Sequence, residues 1–388
     1  MQAPGGRLLQ GLGQGALQVV VERLDPSLRR AAGVYYTPEE VAAGHVRLVE
    51  DVLVREMGLA PGFMDDRVVV VDPSVGTGNY LLAVAELAGQ GAPRLAPRLV
   101  GLELRPDALA LARERLTLAL DVSDLDLRLA NTLELRDPLR DRREHPLMVV
   151  IGNPPYGRHG MVTEENRASC GGWVRWGEDG LMFDFIQPVR SAGQGRQLKN
   201  LYNQYVYFMR WALWQALERP GSGAVAGGGV VSFITASSYL DGPAFSGLRQ
   251  HMRRVCDEVL VLDLGGEGRG TRTEENVFDV QTPVAIFIAW RRGAPEYESE
   301  ARVRYARIQG SRQEKLARLA EVQGLDHLKW RDAAKGWRSP FRPAAGGAFA
   351  TWPALGDLMP WRCNGVKAGR TWVIAPEREI LRRRVATL

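Results

Sequence analysis

The sequence predicts an α/β fold built on a mostly parallel, seven-stranded sheet. Short uninterrupted apolar runs recur between residues 68 and 289, segments of helical spacing separate most of them, and polar residues close the first four. Continuous apolar strands alternating with helices indicate a parallel sheet covered on both faces.

Each element has its own signal. Thr37-Pro38-Glu39-Glu40 opens a helix, with Thr37 as the cap, Pro38 in the first turn and two acids favouring the N-terminal dipole. Val41, Val46, Val49, Val52 and Leu53 repeat at roughly helical spacing and carry it to about Met57. Val68–Val71 is a buried strand ending at Asp72, and Tyr80–Ala88 a helix. Leu99–Leu102 is a strand ending at Glu103, followed by a helix over Pro106–Leu120. Leu125–Leu129 and Leu147–Ile151 are the third and fourth strands. A long helix follows around Tyr202–Leu217, a strand at Val230–Ile234 and a helix near Ala244–Val255. Val259–Leu262 and Pro283–Ala289 complete the seven strands. The organisation expected is a helical N-terminal segment over 1–60, a catalytic domain over 61–290 and a small basic region over 291–388. Within the catalytic domain, 157–200 is long, rich in Gly and Arg and weakly periodic, so it reads as a functional loop insertion and not as core.

Composition narrows the function classes. The 388 residues suffice for one large α/β domain and a smaller region, and 45% hydrophobic with 24% charged residues is ordinary for a globular protein. No apolar run approaches the ~18 to 20 residues of a membrane span. Met1–Gly15 holds no apolar stretch of the secretory kind, and the spaced glycines Gly11, Gly13 and Gly15 follow no strand, so they read as flexible chain. Cys170, Cys256 and Cys363 are too scattered for zinc or a disulfide framework, and five dispersed histidines suggest no metal site, so reduced thiols and a cytoplasmic location are expected. Net charge is +5, unevenly spread: residues 291–388 hold 20 Lys/Arg against 10 Asp/Glu, which leaves 30 against 35 for the rest. A slightly acidic body with a basic end suits a polyanion binder, and equally a surplus of solvated surface arginine.

The candidate site lies at strand ends. Asp72-Pro-Ser-Val-Gly76-Thr-Gly78 stands where a parallel strand turns into a helix, the position at which open α/β sheets bind ligands. Gly76 and Gly78 allow a tight turn and close backbone approach. A dinucleotide site would show a third glycine; here an acid begins the turn, which suits a ligand carrying an ammonium group. Glu103 can accept both hydroxyls of a ribose, and Asn131 can bond an adenine edge. Three polar residues ending three consecutive strands favour S-adenosylmethionine over a nicotinamide cofactor.

The fourth strand runs into Gly152-Asn153-Pro154-Pro155-Tyr156. Two prolines fix φ and remove two donors, leaving a rigid loop of acceptors. An aromatic amine is a poor nucleophile because its lone pair is delocalised into the ring. The Asn153 side-chain oxygen and the Pro154 carbonyl can each accept a hydrogen bond from such an amine, which drives the nitrogen toward tetrahedral geometry and aims its lone pair at a sulfonium methyl. Tyr156 offers a face on which a base extruded from its duplex can stack.

This set of motifs resembles the N6-adenine DNA methyltransferases in which the cofactor motif precedes the catalytic motif and a recognition domain comes last. Gly33-Val-Tyr-Tyr-Thr37-Pro38 is similar to their N-terminal motif, which implies that Thr37 contacts the methionine end of the cofactor. Asp72 to Gly78, Glu103, Asn131-Thr132 and Asn153 to Tyr156 follow in the family's order. Gly229–Thr235, Leu262–Gly266 and Asn276–Gln281 resemble segments of the methylase region of large restriction-modification enzymes, and imply Phe278 as a second aromatic clamping the base opposite Tyr156. Trp361–Ala375 is weakly similar to the join before a recognition domain. The resemblance implies a Rossmann-like, S-adenosylmethionine-dependent, adenine-specific enzyme acting on double-stranded DNA within a restriction-modification or phage-defence system. No phosphate-binding Gly-x4-Gly-Lys-Ser/Thr loop, no nuclease carboxylate cluster and no long recognition domain are visible, so either a separate recognition or nuclease subunit or an incomplete copy is expected. N4-cytosine methylation, and a non-catalytic DNA-binding subunit keeping the fold, are the alternatives. Release-factor glutamine and ribosomal RNA guanine methylation are disfavoured by the early Thr-Pro motif and the long insertion after Tyr156.

Overall fold

The computed structural model describes residues 37–136, 147–157, 170–177, 180–218, 228–267, 274–293, 297–344, 346–353, 358–359 and 375–386. Residues 33–36, the first-thirty-residue glycines, Cys363 and nearly all of 361–375 lie outside this set.

The first half of the chain lays down strands outward from a centre. Helix α1 (Glu39–Asp51) leads to β1 (Val68–Asp72), α2 (Asn79–Ala88), β2 (Leu99–Glu103), α3 (Pro106–Leu120), β3 (Asp126–Leu129) and β4 (Leu147–Gly152). In β1, Val68 and Val70 enter one hydrophobic core while Val69 and Val71 enter the other. A strand buried on both faces has no polar side to alternate, which is why the run is pure valine. β2 and β4 pair in parallel with the two edges of β1.

The second half adds α4 (Phe183–Ser191), α5 (Gln204–Leu213), β5 (Gly229–Ala236), α6 (Ser246–Val255), β6 (Glu258–Gly265), β7 (Val284–Arg291), β8 (Arg302–Arg307), α7 (Arg312–Glu321) and the two-residue β9 (Arg331–Asp332). Among the described residues the sheet order is β3-β2-β1-β4-β5-β7-β6-β8-β9. β7 runs antiparallel between β5 and β6, and β8 lies parallel to β6. The chain therefore winds away from β1 through β2 and β3, then returns to β4 on the other side. That reversal opens a crevice at the carboxyl ends of β1 and β4.

Four expectations need correction. Among the described residues the sheet has nine strands, not seven: β8 and the edge strand β9 are short and Arg-bearing, without a continuous apolar run. For the same reason the main body does not stop near residue 290. It extends to Pro343, with a second compact unit over Ala344–Leu388. The insertion over 157–200 contains α4 and a short helix at Gly172–Trp176, and Val174, Phe185 and Val189 are fully buried. Glycine, arginine and Pro188 interrupt the periodicity there, but these three apolar residues still face the core. Thr37 is not a helix cap: Pro38 occupies that position, and no side chain caps the helix.

The N-terminal helix is part of the main body. Arg47 donates to the Leu319 and Ala320 carbonyls at 3.0 and 2.9 Å, satisfying the open end of α7. A Cβ on Gly44 would stand 2.6 Å from the Leu319 carbonyl, so the two helices cross where only glycine fits. The other end of α7 is closed by a capping box between Ser311 and Glu314. In the second unit, helix α8 (Arg378–Ala386) carries Arg378, Arg382, Arg383 and Arg384. Among the described residues no helix is long and apolar enough to cross a membrane.

Candidate active site at the strand switch point

The ends of β1, β2 and β3 supply one wall. Asp72 is 1% exposed, and its Oδ1 accepts from the Ser74 N–H at 3.0 Å. Burial pushes its carboxyl up to about 8, with the Ser74 N–H pulling the other way and the charge of Glu103 adding to the rise. A buried acid whose charged neighbour is another acid is arranged to receive a cation. The turn behind it is held open by Glu103, whose Oε2 accepts from the Gly76 N–H and whose Oε1 accepts from the Leu104 and Arg105 N–H groups, each at 2.9 Å. Gly76 (φ 54°) and Gly78 (φ 91°) are left-handed, which glycine adopts without penalty. Asn131 follows β3, where its Oδ1 accepts from the Leu133 N–H at 3.2 Å. The Thr132 hydroxyl donates to the Pro73 carbonyl at 2.6 Å, locking the third strand end against the first.

The end of β4 supplies the opposite wall. Gly152 backs directly onto Asp72, so Asn153 begins the loop beside the acid. Asn153 Nδ2 donates to Thr37 Oγ1 at 3.0 Å, and the Tyr156 hydroxyl donates to Asn153 Oδ1 at 2.7 Å with the Ile234 carbonyl at 3.2 Å. Pro154 is buried, whereas Asn153, Pro155 and Tyr156 are half-buried. The structure thus brings Thr37, Asp72, Gly76, Gly78, Glu103, Asn131 and the Asn153–Tyr156 loop to one end of the sheet.

Phe278, expected to clamp the base opposite Tyr156, packs in the core with its ring edge to face against Tyr156. It is 4% exposed, its N–H donates to Asn276 Oδ1 at 3.0 Å, and its ring meets Tyr156 at 6.5 Å between centroids and 69° between planes. A sandwiched base needs two roughly parallel faces, and an edge-to-face pair offers none. Phe278 is a core residue that buttresses Tyr156 from one side. Tyr205 does so from another, at 6.4 Å and 89°, and is itself stacked on Phe245.

Sequence reasoning passes over three residues that build this site. Asn79, the first residue of α2, donates through Nδ2 to the Thr37 carbonyl at 2.7 Å. Its position directly after the glycine turn is the one available hint. Arg115, from α3, donates to Asn79 Oδ1 at 2.7 Å and to the Thr77 carbonyl at 2.8 Å, a contact with no local signal. Gly152 is the third, and its signal is only that it precedes Asn153.

One acidic cluster away from the crevice has metal-like spacing: Asp184, Glu218 and His251 place ligand atoms within 4.8 Å of one another. The nearly buried Arg210 already donates to Asp184 Oδ2 and Glu218 Oε1, both at 2.7 Å. Burial would raise the Glu218 carboxyl, but His251 and Arg210 together draw it down to about 2. The cluster is an internal ion network satisfied by its own cation.

Strand order, an acid-led glycine turn and a polar loop on the adjacent strand define a doubly wound α/β core with a ligand crevice at its switch point. Residues 18–180 match the family model described as N-6 DNA Methylase. Solved structures share the fold. The cryo-EM structure of a DrdV–DNA complex is 20% identical with a TM-score of 0.64, over 83% of this chain and 33% of that one. A nuclease-deletion mutant of the Type ISP restriction-modification enzyme LlaGI, in complex with a DNA substrate mimic, is 19% identical with a TM-score of 0.67, over 86% and 33%. The ATP-dependent Type ISP enzyme LlaBIII bound to DNA is 20% identical with a TM-score of 0.63, over 87% and 24%. This chain therefore spans a third or less of those structures. No curated protein matches it.

Proposed function

We propose that this chain transfers a methyl group from S-adenosylmethionine to N6 of adenine in DNA, as the methylase part of a restriction-modification or phage-defence system. One observation carries the reading: a buried acid without a cationic side-chain partner among the described residues, Asp72, sits against the backbone of Gly152, which leads into the Asn153-Pro154-Pro155-Tyr156 loop. The match to the N-6 DNA Methylase family supports it.

The residues present fit the cofactor. Asp72 would take its ammonium, Glu103 its ribose hydroxyls and Asn131 its adenine edge, while the open backbone at Gly76, where an added Cβ meets nothing nearer than 3.9 Å, leaves room for close approach. The bound cofactor supplies an electrophilic methyl on a sulfonium. The protein supplies orientation. The Asn153 side-chain oxygen, which accepts from the Tyr156 hydroxyl, would be one acceptor for the target amine. The Pro154 carbonyl is the second acceptor, and together they turn the nitrogen lone pair toward the methyl. Tyr156, pinned at its hydroxyl and braced by Tyr205 and Phe278, offers the stacking surface for an extruded base. The nitrogen would gain the methyl as the carbon–sulfur bond breaks, the sulfonium leaving as a neutral thioether, and would shed one proton to water.

The solved structures that share the fold are longer and are bound to DNA, which supports DNA as the partner here. The test is transfer of a labelled methyl group to duplex DNA, with and without candidate recognition subunits, and with RNA and release-factor protein as controls. Digestion to nucleosides should yield N6-methyladenine. N4-methylcytosine, or label only in RNA or protein, would replace the reading.

A further inference from the structure

Thr37 touches both halves of the site. Its carbonyl accepts from Asn79 Nδ2 at 2.7 Å, and Asn79 is held in turn by Arg115, which also grips the Thr77 carbonyl of the glycine turn. Its hydroxyl, buried with the rest of the residue, accepts from Asn153 Nδ2 at 3.0 Å. A continuous set of hydrogen bonds thus runs from α3 through the glycine turn to Thr37 and on to the amide that faces the target amine.

We infer that Thr37 is a positioning residue for Asn153, holding the carboxamide NH2 so that Oδ1 points to the amine. A carboxamide turned by 180° would present NH2 to an incoming NH2, donor against donor, and could not polarise it. The bond to Thr37 fixes the plane of the carboxamide in the orientation seen, with NH2 toward Thr37. The hydroxyl does this from a segment whose own placement depends on the glycine turn. The inference rests on the methyltransferase reading above, and it changes the expected role of Thr37 from contacting the cofactor alone to orienting the catalytic amide.

The experiment compares Thr37→Val, which removes the acceptor at nearly constant shape, with Thr37→Ser, which keeps it, in the full chain. Three quantities are read: the single-turnover methylation rate at saturating cofactor, the cofactor Kd by calorimetry, and the Asn153 side-chain amide signals in a 15N spectrum, assigned by their loss in Asn153→Ala. Thr37→Val should slow the rate by roughly 10- to 100-fold, the scale expected for a misplaced reacting group. Kd should change little, and the Asn153 amide signals should move toward faster solvent exchange. Thr37→Ser should restore both rate and signals. An unchanged rate at saturating cofactor, or unmoved Asn153 signals, would overturn the inference; a rise in Kd with full rate at saturation would return Thr37 to cofactor contact alone. Thr37→Ala replaces the valine variant if that one fails to fold. Should the wild type methylate no DNA, the functional reading fails, and the Asn153 signals still decide whether Thr37 holds the amide.

Discussion

A Cβ added to Gly152 would stand 2.7 Å from Asp72 Oδ1. The last residue of β4 thus leaves the acid at the end of β1 only the space that glycine provides. Gly152→Ala should push the carboxylate off its position and weaken S-adenosylmethionine binding by about tenfold or more, since charge-assisted bonds contribute roughly 1.5 to 3 kcal/mol. Calorimetry on the folded variant checks this, and an unaltered Kd would detach Asp72 from the cofactor.

Binding should also release a proton. The free Asp72 carboxyl is protonated below about pH 8, and an ammonium ligand requires it ionised. Affinity should therefore climb as pH rises toward 8, by up to tenfold per unit, and fall again once the ligand's own α-amino group, with a pKa of about 7.7 to 8.0, loses its charge. Calorimetry in buffers of different ionisation enthalpy at about pH 6.5 counts the proton. Asp72→Asn should bind weakly and release none.

Stability should respond to pH through two groups of opposite sign. Asp72 titrates near 3.8 when unfolded and about 8 when folded, so between those values the folded state holds the extra proton and stability falls as pH rises. His45 is fully buried. The Tyr80 hydroxyl donates to its Nδ1 at 3.0 Å, and Ser232, whose own proton goes to the Phe287 carbonyl, accepts from its Nε2. Burial lowers it from 6.5 to about 3, so there the unfolded state holds the extra proton and stability falls as pH drops. The two slopes cancel where the windows overlap, from about pH 4 to 6.5. His45→Gln should remove one of them, so its stability relative to wild type should improve as pH falls through that window. Urea titrations across the range measure this difference, and a pH-independent difference would mean that His45 is already charged in the fold.

The two aromatic residues should separate cleanly. Tyr156→Ala should lose roughly 1 to 3 kcal/mol of base stacking, while Tyr156→Phe keeps the ring and most activity. Phe278→Ala should instead cost about 3 to 5 kcal/mol of fold stability, as a buried Phe does. Phe278→Leu should fold and bind DNA as wild type, by fluorescence of 2-aminopurine at the target. Equal loss of base binding in Tyr156→Ala and Phe278→Leu would restore the clamp.

The parallel half of the sheet is legible in the sequence because strands buried on both faces, such as Val68–Val71, leave an unmistakable apolar run. Asp72, Glu103, Asn131 and Asn153 are legible because topology places the ends of parallel strands together. β8 is not, because only the two-residue β9 lies beyond it, part of its length is exposed, and Arg302, Arg304 and Arg307 mask Val303 and Tyr305. The role of Phe278 is hidden for a different reason: a lone aromatic in sequence carries no information about the angle of its ring. The Thr37–Asn153 bond joins residues 116 positions apart, and no local pattern encodes such a contact.

The insertion of β7 between β5 and β6 has a consequence for how the protein is made. β6 leaves the ribosome before β7 does, yet in the described sheet it reaches β5 only through β7. Until Val284–Arg291 emerges, β5 is an open edge and β6 has no place beside it. Domains generally form as units while synthesis proceeds, and unpaired edges are prone to aggregate. Nascent chains halted before residue 284 should therefore be the aggregation-prone species, and those released beyond residue 291 the first in which this half of the sheet can close.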